Sequence, residues 1–165
     1  MAPSFQALLD AHVSRAHRAA YGFLGNRETA REAAQEALLK AYKARGSYDV
    51  SRPFYPWLYT IIRNTCLDII AKARRRPRSG LDVERMVSPV RPSDEQLRRR
   101  REAARLHVSL GTLNEQQQEI INLRHFQMLS YAEIAEVLGV AEGTVMSRLF
   151  RARKALARAI EEEGR

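Results

Sequence analysis

Apolar residues recur every three to four positions along most of the chain, and no segment keeps the strict alternation of a half-buried strand. The periodic segments are rich in Ala, Leu, Glu and Arg, which favour helices. The pattern therefore predicts an all-α protein. Its first helix is expected from Ser4 to Leu24, and one face of that helix carries Leu9, Val13, Ala16, Ala20 and Phe23.

Two more helices are predicted before residue 76. Asn26 can cap a second helix that ends near Arg45, because its side chain can accept hydrogen bonds from free backbone N–H groups. The loop GSYDVSRP then separates it from a third helix, which tolerates Pro56 in its first turn and ends near Arg75. Residues 1–75 are therefore expected to form a three-helix domain.

The rest of the chain is predicted to form a linker and a second domain. Residues 76–92, RPRSGLDVERMVSPVRP, hold three of the six prolines and little apolar periodicity, which predicts a flexible basic linker. Residues 93–165 are expected to form a four-helix domain that opens on the capping box SDEQ. Its helices are expected from Ser93 to about Leu110, from Asn114 to about Met128, from Ser130 to Leu138, and from about Glu142 to the acidic end.

The distribution of charge indicates a polyanionic partner. The formal net charge is +9, and residues 72–101 alone carry eleven basic and four acidic side chains. The single cysteine, Cys66, excludes an intramolecular disulfide and a cysteine-rich zinc site, and its apolar neighbours predict that it is buried.

The C-terminal part of the chain carries a helix-turn-helix pattern. Ala135 is small where two helices would cross, Gly139 suits the turn between them, and Val145 can pack the second helix onto the first. The surface opposite the apolar stripe of the last helix offers hydroxyl, guanidinium and apolar groups to a DNA major groove, from Thr144, Met146, Ser147, Arg148, Phe150, Arg151 and Lys154. Two alternatives stay open: a helical hairpin with a solvated basic face, and burial of Phe150.

The third helix combines aromatic and basic groups. Phe54, Tyr55 and Trp57 can offer flat surfaces to unstacked bases, and the amide of Asn64 can bond to a base edge. The basic end of the helix, with Lys72, Arg74 and Arg75, can neutralise phosphates. These features suit opened DNA better than an intact duplex, although a place in the core is the favoured interpretation of Trp57.

The second helix has one Ala-rich side and one mixed side. The mixed side carries Gln35, Glu36, Leu39 and Lys40. A leucine beside polar groups is compatible with a protein-docking surface, but an ordinary solvated face is the default interpretation of this pattern.

Three segments together resemble the bacterial sigma factors of the extracytoplasmic-function (ECF) group. AAQEALLKAY, RPFYPWLYTIIRNTCLD and LSYAEIAEVLGVAEGTVMSRLFRARKAL are similar to regions two and four of that family, in the right order and separated by a linker. With the first helix, the resemblance covers nearly the whole chain. Met146 departs from the pattern, since the family often has Lys or Arg there.

The resemblance implies a role for each surface. The first domain is expected to bind the β′ clamp helices of core RNA polymerase through Gln35, Glu36, Leu39 and Lys40. The loop from Asp49 to Phe54 and Asn64 are expected to hold a flipped base of the −10 promoter element, with Arg63 on the DNA backbone. The second domain is expected to contact the β flap and to read the −35 element through the last helix. An anti-sigma protein is a further expected partner.

Two other classes of function are less favoured by the sequence. A stand-alone helix-turn-helix regulator would use the first three helices for sensing or dimerisation and would bind a palindromic operator. An enzyme finds no support, because the four histidines lie apart and no metal, cofactor or nucleophile pattern occurs. No signal peptide and no apolar stretch of about 20 residues is present, so a cytoplasmic protein is expected.

Overall fold

The computed structural model describes residues 3–75 and 93–164, and both segments are helical. Their α-helices are α1 (Phe5–Leu24), α2 (Arg27–Lys43), α3 (Phe54–Arg75), α4 (Asp94–Gly111), α5 (Glu115–Ile121), α6 (Tyr131–Leu138) and α7 (Glu142–Glu163). A 3₁₀ turn, Arg45–Ser47, follows α2, and a π-helical turn, Asn122–Phe126, follows α5. The all-α prediction is confirmed, and the predicted linker 76–92 lies outside the described residues. We call residues 3–75 the first half and residues 93–164 the second half.

Local capping groups set the helix ends of the first half. Ser4 Oγ accepts a hydrogen bond from the backbone N–H of Ala7 at 3.2 Å, and Asn26 Oδ1 accepts from the first turn of α2 at 3.0 Å. Gly25 ends α1 with φ of 69°, in the left-handed region that favours glycine. The predicted boundaries of α1 and α2 therefore hold because their signals lie within a few residues of each end.

Small side chains let α1 and α2 approach closely. Eight alanines are buried between these helices and α3: Ala16, Ala19, Ala20, Ala30, Ala33, Ala34, Ala37 and Ala41. Helix α3 covers them with Leu58, Ile62 and Cys66, each fully buried. Cys66 is fully buried, so the prediction of its burial is confirmed, and burial raises the pKa of its thiol to about 12.

Capping boxes begin α4, α5 and α6 at Ser93, Asn114 and Ser130. The helix expected from Asn114 to about Met128 is a regular α-helix only to Ile121, because the chain then widens into the π-helical turn, Asn122–Phe126. In a regular helix residues 122 and 127 would point about 140° apart. The wider turn brings both side chains inward, where Gln127 Nε2 donates to Asn122 Oδ1 at 3.0 Å.

Helices α6 and α7 form the helix-turn-helix, and their buried side chains extend the hydrophobic core of the protein. Ile134 of α6 and Val145 and Leu149 of α7 are buried, and Gly139 adopts φ of 64° in the turn between the helices. The backbone N–H of Val140 then donates to the carbonyl of Ala135 at 3.0 Å, which closes α6.

The two halves pack against each other through both apolar and polar groups. Helix α1 lies against the π-helical turn, and α3 lies against α6. Asn122 Nδ2 donates to the carbonyl of Ala19 at 2.9 Å, and a Cβ on Gly22 would stand 2.5 Å from the Asn122 amide. Glycine at position 22 therefore permits the close approach of α1 and the turn.

Candidate nucleic-acid interface

The outer face of α7 is open to solvent. Met146, Ser147, Phe150, Arg151 and Lys154 are exposed, and Thr144 and Arg148 are half-buried. The opposite stripe, with Val145, Leu149 and Ala152, is fully buried. The helical period therefore places the seven predicted DNA-contacting side chains on the side of α7 away from the core or at its margin.

Phe150 is 67% exposed, so the alternative that it belongs to the core is wrong. A large aromatic side chain that faces water on a basic helix adds apolar contact area to the polar groups around it. Met146 is also exposed, one turn before Phe150 on the same side of the helix.

The cations of α7 keep their charge available. Arg148, Arg151, Lys154 and Arg158 make no ion pair with any residue in the two described segments. Ser147 Oγ donates to the carbonyl of Thr144 at 3.0 Å, and Arg151 Nε donates to the carbonyl of Ser147 at 3.3 Å. Such exposed bonds to a helix's own backbone exchange readily with a base edge or a phosphate.

One arginine of α7 is held differently. Arg153 Nε donates to Nε2 of His125 at 3.3 Å, which requires that nitrogen of the imidazole to be unprotonated. Burial first, and then the charges of Arg153 and Arg124, lower the pKa of His125. The contact fixes Arg153 beside the π-helical turn.

On α3 the predicted aromatic surface is mostly covered. Phe54 and Tyr55 are buried and Trp57 is half-buried. The ring of Trp57 contacts those of Tyr48 and Phe54, with centroids 5.3 and 5.7 Å apart, so the core alternative describes its packing. Phe54 and Tyr55 therefore present no open ring to a base in this arrangement, and their roles in DNA binding stay predictions.

The loop before α3 is braced by local hydrogen bonds. Asp49 Oδ1 accepts from the backbone N–H of Ser51 at 2.9 Å and from its hydroxyl at 2.7 Å. The bond from the Ser51 hydroxyl is the largest cause that lowers the pKa of Asp49. The Tyr48 hydroxyl donates to the carbonyl of Arg52 at 2.7 Å. The exposed loop is thus shaped before any partner binds.

The polar residues of α3 divide into open and occupied groups. Asn64 is exposed, as are Lys72, Arg74 and Arg75, which make no ion pair within residues 3–75 and 93–164. Arg63 is occupied: its Nε lies 2.8 Å from Glu119 and its Nη2 lies 3.7 Å from Glu115. The predicted DNA-backbone contact therefore faces carboxylates of α5 in this arrangement.

The mixed face of α2 is exposed, as the sequence predicted. Gln35, Glu36, Leu39 and Lys40 all face solvent, and Leu39 is 55% exposed. The hydrogen bond from Lys40, at 2.7 Å, is the main cause that lowers the pKa of Glu36.

Sequence reasoning missed Tyr42, which is exposed on the same face of α2 as Leu39. Its position three residues after Leu39 was the available signal. It also missed Asn122 and Gln127, whose burial no local pattern indicates.

Two family models match the chain in this order: Sigma-70 region 2 over residues 8–76, and Sigma-70, region 4, over residues 103–156. The RNA polymerase sigma-H factor of Pseudomonas aeruginosa is 34% identical over 84% of the chain and 77% of its own length. The ECF sigma factor SigM of Mycobacterium tuberculosis is 34% identical over 94% of the chain and 76% of its own length. The chain belongs to the ECF sigma factors.

Solved sigma factors share the fold of this one. CnrH, in complex with the cytosolic domain of CnrY, matches with a TM-score of 0.66 at 26% identity, over 96% of this chain and 88% of that one. RpoE of Bartonella quintana, in complex with the anti-sigma factor NepR, matches with a TM-score of 0.63 at 25% identity, over 95% and 96%. The covered shares include both halves, so the similarity extends to a two-part helical architecture.

Residues 3–75 and 93–164 contain no group of three His, Cys, Asp or Glu side chains that could hold a metal ion. No helix in these residues is both long and apolar enough to cross a membrane.

Proposed function

We propose that this sigma factor binds core RNA polymerase and directs promoter-specific initiation, with α7 on the −35 element and the α3 region on the opened −10 element. The observation that carries the proposal is the open face of α7. Its unpaired cations and exposed Ser147, Met146 and Phe150 stand on a helix-turn-helix. Phosphates can bind the cations while the other side chains reach base edges.

The first half supplies the second DNA surface. Asn64 faces solvent on α3, and the braced loop from Asp49 to Pro53 precedes that helix. An exposed amide can pair with the edge of a base that has left the stack, and the basic end of α3 can follow the strand. We assign these groups to the −10 element.

We assign polymerase docking to α2. Leu39 and Tyr42 give an apolar centre, and Gln35, Glu36 and Lys40 surround it with polar groups. An exposed apolar centre with a polar rim is the usual composition of a protein interface. The β′ clamp helices are the expected partner of this face and the β flap that of the second half.

The same reasoning extends to regulation and place of action. The similar structures of CnrH and RpoE hold CnrY and NepR, so we infer that an anti-sigma protein binds this factor too. The factor would perform no chemistry of its own and would act in the cytoplasm, where polymerase and promoters meet. A stand-alone regulator is not favoured, since region 2 accompanies the helix-turn-helix.

The decisive experiment adds the full chain to core RNA polymerase and a library of random promoter fragments, followed by sequencing of the transcript starts. We expect starts that share one −35 and one −10 motif and that disappear when the chain is omitted. A chain that does not bind core polymerase, or that yields no enriched motif, would contradict the proposal.

A further inference from the structure

Two carboxylates of helix α5 reach the part of α3 that carries Arg63. The guanidinium of Arg63 lies 2.8 Å from Glu119 and 3.7 Å from Glu115, and Tyr59 of α3 donates a hydrogen bond to Glu119 at 3.4 Å. Arg63 is 28% exposed and Glu119 is 15% exposed. The pair is therefore partly withdrawn from water, where the attraction between the charges is less screened than at an open surface.

A continuous hydrogen-bond chain joins the halves beside this ion pair. The Tyr55 hydroxyl donates to Gln127 Oε1, Gln127 donates to Asn122, and Asn122 donates to the carbonyl of Ala19. Burial raises the pKa of the Tyr55 hydroxyl, which keeps it protonated as the donor. Tyr55, at the start of this hydrogen-bond chain, is one of the predicted DNA-contacting residues of α3.

The rim of the contact is also charged. Arg15 of α1 lies 4.3 Å above the centre of the Tyr55 ring and pairs with Glu133 of α6 at 3.1 Å. Cation–π and ion-pair contacts thus hold Tyr55 from the outside while Gln127 holds it from the inside.

We propose that the second half of the chain competes with opened DNA for α3: the carboxylates of Glu115 and Glu119 occupy Arg63, and Gln127 occupies Tyr55, until the halves separate. This inference rests on the proposed function of the α3 region at the opened −10 element, with Arg63 and Tyr55 as the DNA contacts that the sequence predicts.

The chemistry of the two partners makes the competition direct. A guanidinium donates the same forked N–H groups to a carboxylate and to a phosphate. Arg63 therefore cannot form its full set of hydrogen bonds with both at the same time. The contact is also suited to reversal. Water can satisfy each charged and hydrogen-bonding group of this contact once the halves part, although the aromatic contact of Tyr21 with Phe126 must also be broken.

The first test measures DNA binding by the full chain. A fluorescent pool of random-sequence single-stranded DNA is titrated at low salt against wild type and the double variant Glu115→Gln, Glu119→Gln. The matched control is Glu95→Gln, Glu102→Gln, because those two carboxylates pair with Arg98 on the exposed helix α4 and their loss changes the net charge equally.

We expect the α5 variant to bind about five- to tenfold more tightly than wild type, the effect of removing a partly buried charge partner. We expect the α4 control to gain about twofold or less, as exposed pairs contribute little. An α5 gain no larger than that of the control would overturn the proposal.

A second test locks the contact. Arg15→Cys and Glu133→Cys are combined and joined by a short bismaleimide, while the buried Cys66 remains unreacted. We expect the joined chain to lose at least about tenfold in promoter-specific transcription with core polymerase, since a closed α3 is barred from the strand. The unjoined variant should keep its activity.

The outcomes separate the two proposals. Full transcription by the joined chain would overturn the competition and leave the sigma function intact. A wild-type chain that yields no promoter-specific transcript would contradict the proposed function. The single-stranded DNA titration would still decide whether the carboxylates of α5 compete with DNA for α3.

Discussion

Phe150 and Leu149 are neighbours in the chain with opposite environments. Leu149 is 1% exposed and packs into the core of the second half, whereas Phe150 leaves most of its ring in water. A side chain that contributes little to the fold and interrupts a basic face is best explained by contact with a partner. Substitutions at these two residues can therefore distinguish a loss of fold stability, at Leu149, from a loss of DNA recognition, at Phe150.

Truncation of Phe150 should impair −35 recognition without weakening the fold. We expect Phe150→Ala to change the free energy of unfolding by less than about 0.5 kcal/mol, because the ring is mostly exposed. Transcription from promoters selected by the wild type should fall severalfold. Leu149→Ala is the buried control, expected to cost about 2–5 kcal/mol in urea unfolding. A strongly destabilised Phe150→Ala chain would place the ring in the core after all.

Asn64 allows a test of the −10 assignment. Its amide is exposed on α3, so Asn64→Ala should leave the urea midpoint unchanged. Initiation should fall about tenfold on duplex promoters, the effect of about 1.4 kcal/mol from a lost bidentate contact, and the −35 motif of the remaining starts should be unchanged. Thr60→Ala, an exposed change one turn earlier, serves as the control. Equal loss of both motifs would count against the assigned role.

At the scale of elements, the helix-turn-helix depends on the conformation of one turn. Gly139 has φ of 64°, and nothing lies within 4 Å of a Cβ built there, so only the backbone opposes a larger residue. Gly143 has the same free space but lies within the first turn of α7 with an ordinary φ. The same substitution at these two glycines therefore has opposite expected signs.

We expect Gly139→Ala to destabilise the chain by about 1 kcal/mol, since an L side chain is strained in the left-handed region. We expect Gly143→Ala to stabilise it by up to about 1 kcal/mol, because alanine is the better helix former. Urea unfolding of both variants measures the difference. Equal free energies of unfolding for the two would show that the turn accepts another conformation.

At the scale of the whole molecule, charges and hydrogen bonds link the halves beside their apolar contacts, and acid should weaken one of those links. The backbone N–H of Ser130 is the largest cause that lowers the pKa of Glu133, and Arg15 of the first half adds to it. A carboxyl whose pKa is lower in the folded state stabilises the fold above its unfolded value. That contribution is lost as the pH falls through the folded pKa.

Urea midpoints of wild type and Glu133→Gln should therefore differ at pH 7 and converge as the pH falls below about 4.5, the ordinary range of a glutamate. Glu136→Gln, an exposed change on the same helix, should alter the midpoint little at any pH. A wild-type advantage that persists at pH 3 would contradict the role of the Glu133 charge.

Particular residues show how far sequence reasoning reached. Helix ends could be predicted from the sequence, because capping depends on groups one to three positions away. The capping residues here are Asn26, Gly25 and Ser130. The buried side of α7 could be predicted from Val145 and Leu149, because a helix repeats every 3.6 residues. The same period places Ser147 and Arg151 on the exposed side. The burial of Tyr55 could not be predicted from the sequence, because Gln127, which accepts the hydrogen bond from its hydroxyl, lies 72 residues away.

The sequence by itself thus determined the helices, the exposed faces of α2 and α7 and the family, since each depends on local periodicity, capping or a motif. Only the tertiary structure decided that Arg63 of α3 faces carboxylates of α5, and that the turn after Ile121 widens to pair Asn122 with Gln127. Contacts between polar groups of two distant segments follow no period along the chain. Their geometry exists only once both halves have folded and met.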